Sequence, residues 1–480
     1  MYLEDTHTAF YEEPGPVNLS SCAYLHNYPY DKSDVIFDDK FKDAIDKYPL
    51  FTMDDVDKLS DYLKSRLNNG RGMEILERVE KSKFRPSKKL MDHVAEVIKS
   101  KSEYVLLDEQ LVVYDKVFSC AEKGLKQGKK SVLIVNGGPG TGKSVIAINL
   151  MADLLRQGYN AHYATGSRAF TSTMHEALGK RAVPQFKYFS SYMQAQTDEI
   201  DVLICDEAHR MWKTSNTRFT PASKKSNKLQ IEELMGSSRV SVFFVDDNQS
   251  VRPNEIGKSA YIKEHAPKFT KEVSEFNLGI QFRCAGSEAF IGWITNTLEI
   301  EKSPNILWEK NQDFDFRVCE SPEEIEKLLM ARDKEGYSAR MTAGYCWEWS
   351  MPDEDGNLVN DVVIGGYKRP WNAKNDAKKL AKGIPKAPLW AYDKGGFGQV
   401  GCIYTAQGFE FDYAGVIFGN DLVYNFDKGS WEGHSERSFD SPLKRAKDSF
   451  TSLVKNTYRV LLSRGSFCQM LFMGQSNASS

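Results

Sequence analysis

One octapeptide constrains this chain more than any other feature of the sequence. Residues 137–144 read Gly-Gly-Pro-Gly-Thr-Gly-Lys-Ser, which fits G-x-x-x-x-G-K-[ST] at every fixed position. The apolar segment SVLIVN precedes it at 131–136, and a helix-length segment follows from Ser144 to Arg156. A strand, a glycine-rich turn and a helix in that order direct backbone N–H groups toward a phosphate. The sequence therefore predicts a P-loop.

This loop is expected to bind ATP together with Mg²⁺. Lys143 would reach the β- and γ-phosphates, and the Ser144 hydroxyl would bind the metal. The alternative is a glycine-rich turn that binds no ligand. The residues expected to hold ATP are Gly137, Gly138, Pro139, Gly140, Thr141, Gly142, Lys143 and Ser144.

A pair of acids follows the apolar segment DVLIC at 201–205. A carboxylate at the end of a strand beside a P-loop is where a metal-holding Asp belongs. We expect Asp206 to bind Mg²⁺ and Glu207 to polarise the attacking water, the alternative being two surface acids at a strand end. His209 either couples the site to another lobe or packs beside it.

Short apolar segments alternate with helix-length segments over most of the chain, and they form two series. The first comprises 131–136, 161–165, 202–205 and 240–245, and the second 340–346, 414–418 and 468–473. Such alternation indicates parallel sheets covered on both faces. We predict an α/β protein with a mainly helical domain at 1–100, helical at 53–67 and 87–98, and two lobes at 101–275 and 276–480. The second lobe would carry a basic insertion near 353–399.

Composition indicates where in the cell the protein is expected, but it does not decide whether the protein binds nucleic acid. The net charge is −3, and 27% of residues are charged, so a nucleic-acid site would depend on a local basic surface. The eight cysteines contain no Cys-x-x-Cys, which favours a reducing compartment. Because no run of about 18 apolar residues occurs, we expect a cytosolic protein without a membrane partner.

Five further segments, together with the P-loop and the acid pair, resemble the motifs of superfamily 1 helicases in order and spacing. They are Asp108-Glu109-Gln110, Phe244–Gln249, Gln281-Phe282-Arg283, Tyr404–Asp412 and Tyr458–Arg464. The resemblance covers about residues 106–473 and implies two RecA-like lobes. ATP would then be hydrolysed in the cleft between the lobes.

The resemblance also implies individual roles. Gln110 would read adenine and Gln249 would sense the γ-phosphate. Phe282 would stack on adenine, and Glu410 would contact the ribose. Arg283 and Arg464 would be arginine fingers, whose donors stabilise the charge spread over the γ-phosphate and contribute roughly 10³–10⁵ in rate. For each residue a structural role is the alternative: core packing for Phe282, and an amide, acid or salt bridge for the others.

A narrower resemblance rests on CAYLHNY at 22–28, GYCWEWS at 344–350 and GCIYTAQGFEFDY at 401–413. These segments look like the bacterial family catalogued as domain of unknown function 2075, which is related to the helicase-like part of Schlafen proteins. Members can carry a nuclease-like domain ahead of this region. Residues 1–100 contain no convincing acidic-acidic-Lys core, so we expect either no nuclease or a longer parent protein.

Two features depart from superfamily 1. The Asp206-Glu207-Ala208-His209 tetrad is more familiar from superfamily 2. The short stretch between Arg283 and Glu410 leaves little room for the large insertion of processive unwinding helicases, which puts strand separation in doubt more than ATP hydrolysis.

Three segments are candidates for contact with nucleic acid. Basic groups track phosphates and aromatic faces stack on unpaired bases. The first candidate comprises Lys368, Arg369, Lys374, Lys378, Lys379, Lys382 and Lys386, flanked by Trp371 and Trp390. The second is the loop with Lys213, Arg218, Lys224, Lys225 and Lys228, and the third is Thr165 with Arg168. The alternatives are solvated charges, and packing for the two tryptophans.

We interpret the chain as an ATP-driven motor acting on single-stranded DNA or RNA. The rival from another class is an ATPase switch that signals to a partner nuclease or effector without translocating, in a role such as antiviral defence. The third hypothesis is a nucleic-acid-binding module with vestigial hydrolysis. It is disfavoured by the complete set of expected catalytic residues: Lys143, Asp206, Glu207, Arg283 and Arg464.

Overall fold

The computed structural model describes residues 8–10, 17–67, 70–81, 108–167, 171, 175, 184–218, 220–279, 288–302, 304, 307–308, 314–391 and 393–473. The chain divides into two compact units, Met1–His93 and Val94–Ser480. The helix expected at 87–98 lies outside the described residues, as do Arg168, Phe282 and Arg283.

The first unit contains short helices and two short parallel strands. Strand β1 (Ala23–Leu25) pairs with β2 (Leu50–Thr52). The helices are α1 (Lys42–Lys47), α2 (Val56–Arg66) and α3 (Gly72–Lys81). The helix expected from residue 53 begins instead as a 3₁₀ turn, because the Asp55 carboxylate accepts from the Thr52 backbone N–H at 3.1 Å and hydroxyl at 2.8 Å and caps the turn.

Six parallel strands form the sheet of the first lobe, in the order β5-β4-β6-β7-β3-β8. The strands are β3 (Ser131–Gly137), β4 (Ala161–Thr165), β5 (Phe186–Tyr188), β6 (Ile200–Asp206), β7 (Ser238–Val245) and β8 (Val273–Leu278). The helices are α4 (Asp108–Gln127), α5 (Lys143–Arg156), α6 (Gln230–Ser237) and α7 (Ser259–His265).

Five parallel strands form the sheet of the second lobe, in the order β13-β10-β14-β17-β9. They are β9 (Asp315–Val318), β10 (Ala339–Ala343), β13 (Val400–Gly401), β14 (Phe411–Phe418) and β17 (Gly465–Met473). Two antiparallel hairpins pair β11 (Val362–Ile364) with β12 (Tyr367–Arg369) and β15 (Leu422–Asn425) with β16 (Ser430–Gly433). The helices are α8 (Glu288–Thr297), α9 (Pro322–Lys334), α10 (Ile403–Ala406), α11 (Ser441–Lys444) and α12 (Phe450–Leu462).

The chain is thus an α/β protein with two parallel-sheet lobes, as the alternating segments predicted. Within the two lobe sheets, four strands went unrecognised in the sequence: β5, β8, β9 and β13. Three of them have two to four residues, and β8 alternates partly buried with exposed residues instead of forming an apolar run. The strands of the three small two-stranded sheets were not predicted either. Strand β10 ends at Ala343, earlier than expected, where Gly344 passes so close to the Tyr458 hydroxyl that a Cβ would lie 1.9 Å from it.

The sheet of the first lobe sets the position of the candidate site. Every residue of β6 is buried, so its apolar run stays in the core until the chain emerges at Asp206. Because β3, β6 and β7 are parallel neighbours, the P-loop, Asp206 and Asp246 all follow carboxyl ends at one edge. Ligands of open α/β sheets bind at this edge. Among the described helices, none combines the length and apolar character needed to cross a membrane.

Candidate active site

The P-loop connects β3 to α5 through backbone conformations that glycine supplies. Gly140 and Gly142 have φ of 78° and 79°, in the left-handed region. A Cβ on Gly137 would lie 2.3 Å from the Thr141 Oγ1, so this turn also closes too tightly for a side chain. The Lys143 Nζ donates to the Gly137 and Gly138 carbonyls at 2.8 and 2.7 Å. The ammonium is therefore held within the loop, in reach of phosphates bound there.

The two residues expected to bind Mg²⁺, Ser144 and Asp206, come from separate elements and lie side by side. Ser144, in the first turn of α5, donates its Oγ to the Asp206 Oδ2 at 2.6 Å, and the Tyr163 hydroxyl donates to the same oxygen. Burial, and then the neighbouring Glu207 charge, raise the pKa of Asp206. A divalent cation would offset both penalties, and oxygen donors are the ligands that Mg²⁺ prefers. These residues therefore fit Mg²⁺. Tyr163 is a neighbour of the site that no sequence motif indicated.

Glu207 lies in an unusual backbone conformation beside this carboxylate. Its φ is 54° and its ψ is 42°, a left-handed conformation that a residue with a Cβ adopts at a cost of roughly 1–3 kcal/mol. The Glu207 Oε2 lies 3.0 Å from the His209 Nε2. Burial opposes the charge of Glu207, but His209, Arg210 and Lys143 outweigh it and hold the pKa of this carboxyl well below its usual range. The group is thus ionised and able to accept a hydrogen bond from water.

A third acid, Asp246 at the end of β7, joins the two lobes. The Gln249 Nε2 donates to the Asp246 Oδ2 at 3.0 Å, and the Arg459 Nη1 of α12 lies 3.7 Å from the same oxygen. Burial opposes the charge of Asp246, yet Arg459 and Lys143 outweigh it and lower the pKa. Because Asp246 interacts with both cations, Arg459 of the second lobe faces the P-loop region.

Arg459 is a site residue that the motif resemblance missed, since it indicated Arg464 as the finger. The Arg464 side chain is 1% exposed, and its Nε and Nη1 donate to the Val460 and Phe409 carbonyls at 2.8 and 3.0 Å. This arrangement favours a structural role for Arg464. Arg459 is also buried, but its Nη1 has no hydrogen-bond partner among the described residues. The available signal was spacing, because Arg459 lies five positions earlier, within the last turn of α12, whereas Arg464 follows the end of that helix.

Gln110 and Glu410 were also expected to contact ATP, and Gln110 contacts the P-loop. Gln110, 5% exposed, donates from Nε2 to the Thr141 carbonyl at 3.2 Å and so braces the P-loop. Glu410 is exposed and accepts from the Ser466 hydroxyl at 2.8 Å. The structure therefore brings Gln110 to the loop, while this contact of Glu410 is within the second lobe.

The expectation that Trp371 and Trp390 stack on bases is wrong. They are 1% and 0% exposed. Trp371 donates from Nε1 to the Glu348 carbonyl at 2.8 Å, and Trp390 packs edge-on against Phe411. A buried indole offers no face to an unpaired base, so both tryptophans belong to the core of the second lobe. Their positions beside basic residues resembled a stacking platform only because the sequence does not reveal burial.

The basic residues of this segment divide into exposed and engaged groups. Lys368, Lys378 and Lys382 are exposed. Lys379, also exposed, donates to the Glu354 carbonyl at 2.7 Å. Arg369 donates from Nε to the Glu326 Oε1 at 2.8 Å, so the Glu326 carboxylate already balances the charge of its guanidinium. Arg369 is therefore less suited to a phosphate than the exposed lysines.

A cleft of about 640 Å³ lies between the two lobes, and we call it the interlobe cleft. Its lining includes Thr165, Tyr188, Trp212 and Arg252 from the first lobe and Asn375 and Tyr404 from the second. Arg252 stacks on the Tyr404 ring at 3.8 Å, so the lobes also touch here. Asn375 belongs to the basic segment, whereas Trp212 borders the loop with Lys213–Lys228. Both basic candidates therefore reach the same cleft.

A P-loop, a strand-end acid pair and a facing second parallel-sheet lobe define the class, a helicase-like nucleotide-binding ATPase. Residues 130–474 match the family model described as Schlafen group 3, DNA/RNA helicase domain. The chain belongs to this family. The finer expectation of a bacterial domain 2075 family stays a prediction.

Individual relatives are distant. An uncharacterized Saccharomyces cerevisiae protein, YPL245W, is 24% identical over 411 residues, which are 76% of this chain and 87% of that protein. Among solved structures, the Pif1 helicase from Candida albicans matches 77% of this chain and 95% of its own, with 12% identity and a TM-score of 0.34. AMPPCP-bound DnaA from Aquifex aeolicus matches 42% of this chain and 56% of its own, with 13% identity and a TM-score of 0.22.

Proposed function

We propose that this protein hydrolyses ATP between its lobes and uses the resulting opening and closing to act on single-stranded DNA or RNA. The observation that carries the proposal is the contact of Arg459, from the second lobe, with Asp246 beside the P-loop. A finger supplied by the facing lobe makes hydrolysis depend on lobe closure, so that chemistry and motion occur together.

The proposed chemistry uses side chains of both lobes. Lys143 holds the β- and γ-phosphates, and Glu207 accepts a hydrogen bond from the attacking water and orients it for in-line attack. Ser144 and Asp206 would hold Mg²⁺, which would supply charge neutralisation to the phosphates. Arg459 stabilises the charge that grows on the γ-phosphate, and Gln249 keeps Asp246 in position for that arginine. Arg283 is a second proposed finger, and Phe282 and Glu410 are proposed contacts for adenine and ribose.

The interlobe cleft is the proposed path of the strand. Among the hydroxyl groups of the cleft, the exposed Ser190 suits phosphate oxygens better than Thr165, which is only 2% exposed, and the exposed Trp212 offers a face for a base. Lys378 and Lys382 of the second lobe and Lys224 and Lys225 of the first are the proposed sources of positive charge on the two sides.

The test is ATP turnover measured with and without single-stranded DNA, single-stranded RNA and the matching duplexes. Stimulation by single strands supports the proposal, and equal turnover in every case contradicts it. Directional movement along a strand that scales with turnover separates a motor from the rival switch that signals to a nuclease or effector. A chain that is stimulated but never moves along the strand is that switch.

A further inference from the structure

Gln407 makes the most direct side-chain link between the second lobe and the catalytic acid. It follows α10 and is 1% exposed. Its Nε2 lies 3.2 Å from the Gln249 carbonyl and 3.4 Å from the His209 Nε2, and both of these atoms belong to the first lobe. A carbonyl only accepts, so the contact with Gln249 identifies the end of the Gln407 side chain that faces His209 as the NH₂ group.

The His209 Nε2 faces one partner that can only accept a hydrogen bond and one that can only donate. It lies 3.0 Å from the Glu207 Oε2, which can only accept, and 3.4 Å from the Gln407 NH₂, which can only donate. A neutral imidazole nitrogen carries either a hydrogen or a lone pair. It can therefore serve Glu207 or Gln407, but not both at once.

The surrounding network leaves room for both arrangements. The His209 Nδ1 and the Gln407 Oε1 are buried, and within the described part of the chain neither has a hydrogen-bond partner. The tautomer of His209 is therefore not fixed by a partner on its other nitrogen.

We propose that Gln407 is a positioning residue for Glu207. When the lobes close, its NH₂ donates to the His209 Nε2 and favours the tautomer whose single ring hydrogen is on Nδ1, so the ring gives no hydrogen bond to Glu207 and the carboxylate faces the attacking water. With the lobes apart, water that enters the open cleft exchanges this hydrogen between the two ring nitrogens, and on Nε2 it is donated to the Glu207 Oε2 and directs that oxygen away from the attacking position. This inference rests on the proposed function, because it assigns a regulatory contact to the same ATP site.

The two residues can be tested by a double-mutant cycle with Gln407→Ala, His209→Ala and the double variant, measured as kcat and KM for ATP with and without an oligothymidylate. Gln407→Ala should lower kcat by about tenfold, within the range that contacting residues show, with little change in KM. In the His209→Ala background Gln407→Ala should change nothing, so the double variant should turn over faster than Gln407→Ala alone.

Two further variants separate donation from packing. Gln407→Met keeps the approximate size of the side chain but cannot donate, so it should be as slow as Gln407→Ala. Gln469→Ala is the matched control, since Gln469 is a fully buried glutamine of the second lobe that donates to the Ala414 carbonyl, away from this site. It should lower the melting temperature while kcat per folded molecule stays near wild type.

Failure of this inference is distinguishable from failure of the proposed function. A wild-type chain that strands do not stimulate contradicts the proposed function, and the cycle on basal kcat still tests Gln407. Equal decreases in kcat from Gln407→Ala with and without His209, or wild-type turnover in Gln407→Met, overturn the role of Gln407 alone. A wild-type chain that does not hydrolyse ATP overturns both.

Discussion

The Arg459 guanidinium of α12 lies 3.7 Å from the Asp246 carboxylate at the end of β7. The contact joins the two lobes, and the same carboxylate has its pKa lowered by the Lys143 charge. An arginine finger must be held in position by the protein and still keep N–H donors available for the γ-phosphate. The role of Arg459 in hydrolysis therefore depends on how its guanidinium is held.

Arg459→Ala is expected to lower kcat per folded molecule by about 10³ or more while ATP affinity changes much less. The reason is that a finger interacts mainly with the charge of the transition state. The melting temperature should also fall, because the buried Asp246 loses its cation. Turnover, nucleotide binding and thermal unfolding are to be measured together. Arg464→Ala is the comparison, and it should lower the melting temperature while kcat per folded molecule changes much less, because a buried side chain and its hydrogen bonds to the Val460 and Phe409 carbonyls would be lost. The reverse pattern would restore Arg464 as the finger.

Glu207→Gln should bind ATP and fail to hydrolyse it, since the phosphate cradle survives while the water no longer has its charged acceptor. Lys143→Ala should abolish turnover because the charge that holds the β- and γ-phosphates is gone. Binding of a fluorescent ATP analogue and phosphate release measure the two steps. Near wild-type hydrolysis by Glu207→Gln would assign the catalytic acid to another residue.

Charge reversal of Lys378, Lys379 and Lys382 together is expected to weaken single-strand binding and leave basal turnover intact. Each lysine that no longer binds a phosphate should lower the slope of log affinity against log salt by about 0.7. Binding isotherms at several salt concentrations measure this. Overlaid isotherms would exclude this segment, and reversal of Lys224, Lys225 and Lys228 would then be the next experiment.

Trp371→Ala provides the contrast to the lysine variants. Because its indole is in the core of the second lobe, truncation should destabilise the fold by about 3–5 kcal/mol. The salt dependence of binding per folded molecule should stay unchanged. Denaturant unfolding measures the first effect, and a stable variant without strand affinity would return Trp371 to the nucleic-acid site.

Asp421→Asn is expected to stabilise the protein at neutral pH and to lose that advantage as the pH falls. Asp421 is buried and accepts from the Tyr458 hydroxyl at 2.6 Å, and burial raises its pKa. A raised carboxyl pKa means that the folded state binds the proton more tightly, so wild-type stability declines as pH rises through the folded pKa. Melting temperatures of both proteins across pH measure the difference. A difference between the two melting temperatures that stays constant across pH would contradict this prediction.

Much of the candidate site follows from local sequence. The P-loop glycines, Lys143, Ser144 and the acid pair were predicted because their chemistry depends on neighbours in sequence: a strand, a tight turn and a helix. The long strands β3, β6 and β14 were recognised for the same reason, since each is a continuous apolar run. The short edge strands lack that run, and their pairing is set by the sheet beside them.

What tertiary structure decided is which of several similar residues reaches the site. Arg459 and Arg464 are equally basic, and they lie in the last turn of α12 and just after it. Only the direction of each side chain separates a cation that faces Asp246 from one that is bonded within its own lobe. Trp371 and Trp390 were misjudged because burial is a property of the packed lobe. Gln407 contacts His209 across almost 200 residues of chain, and no local pattern encodes the distance between two lobes.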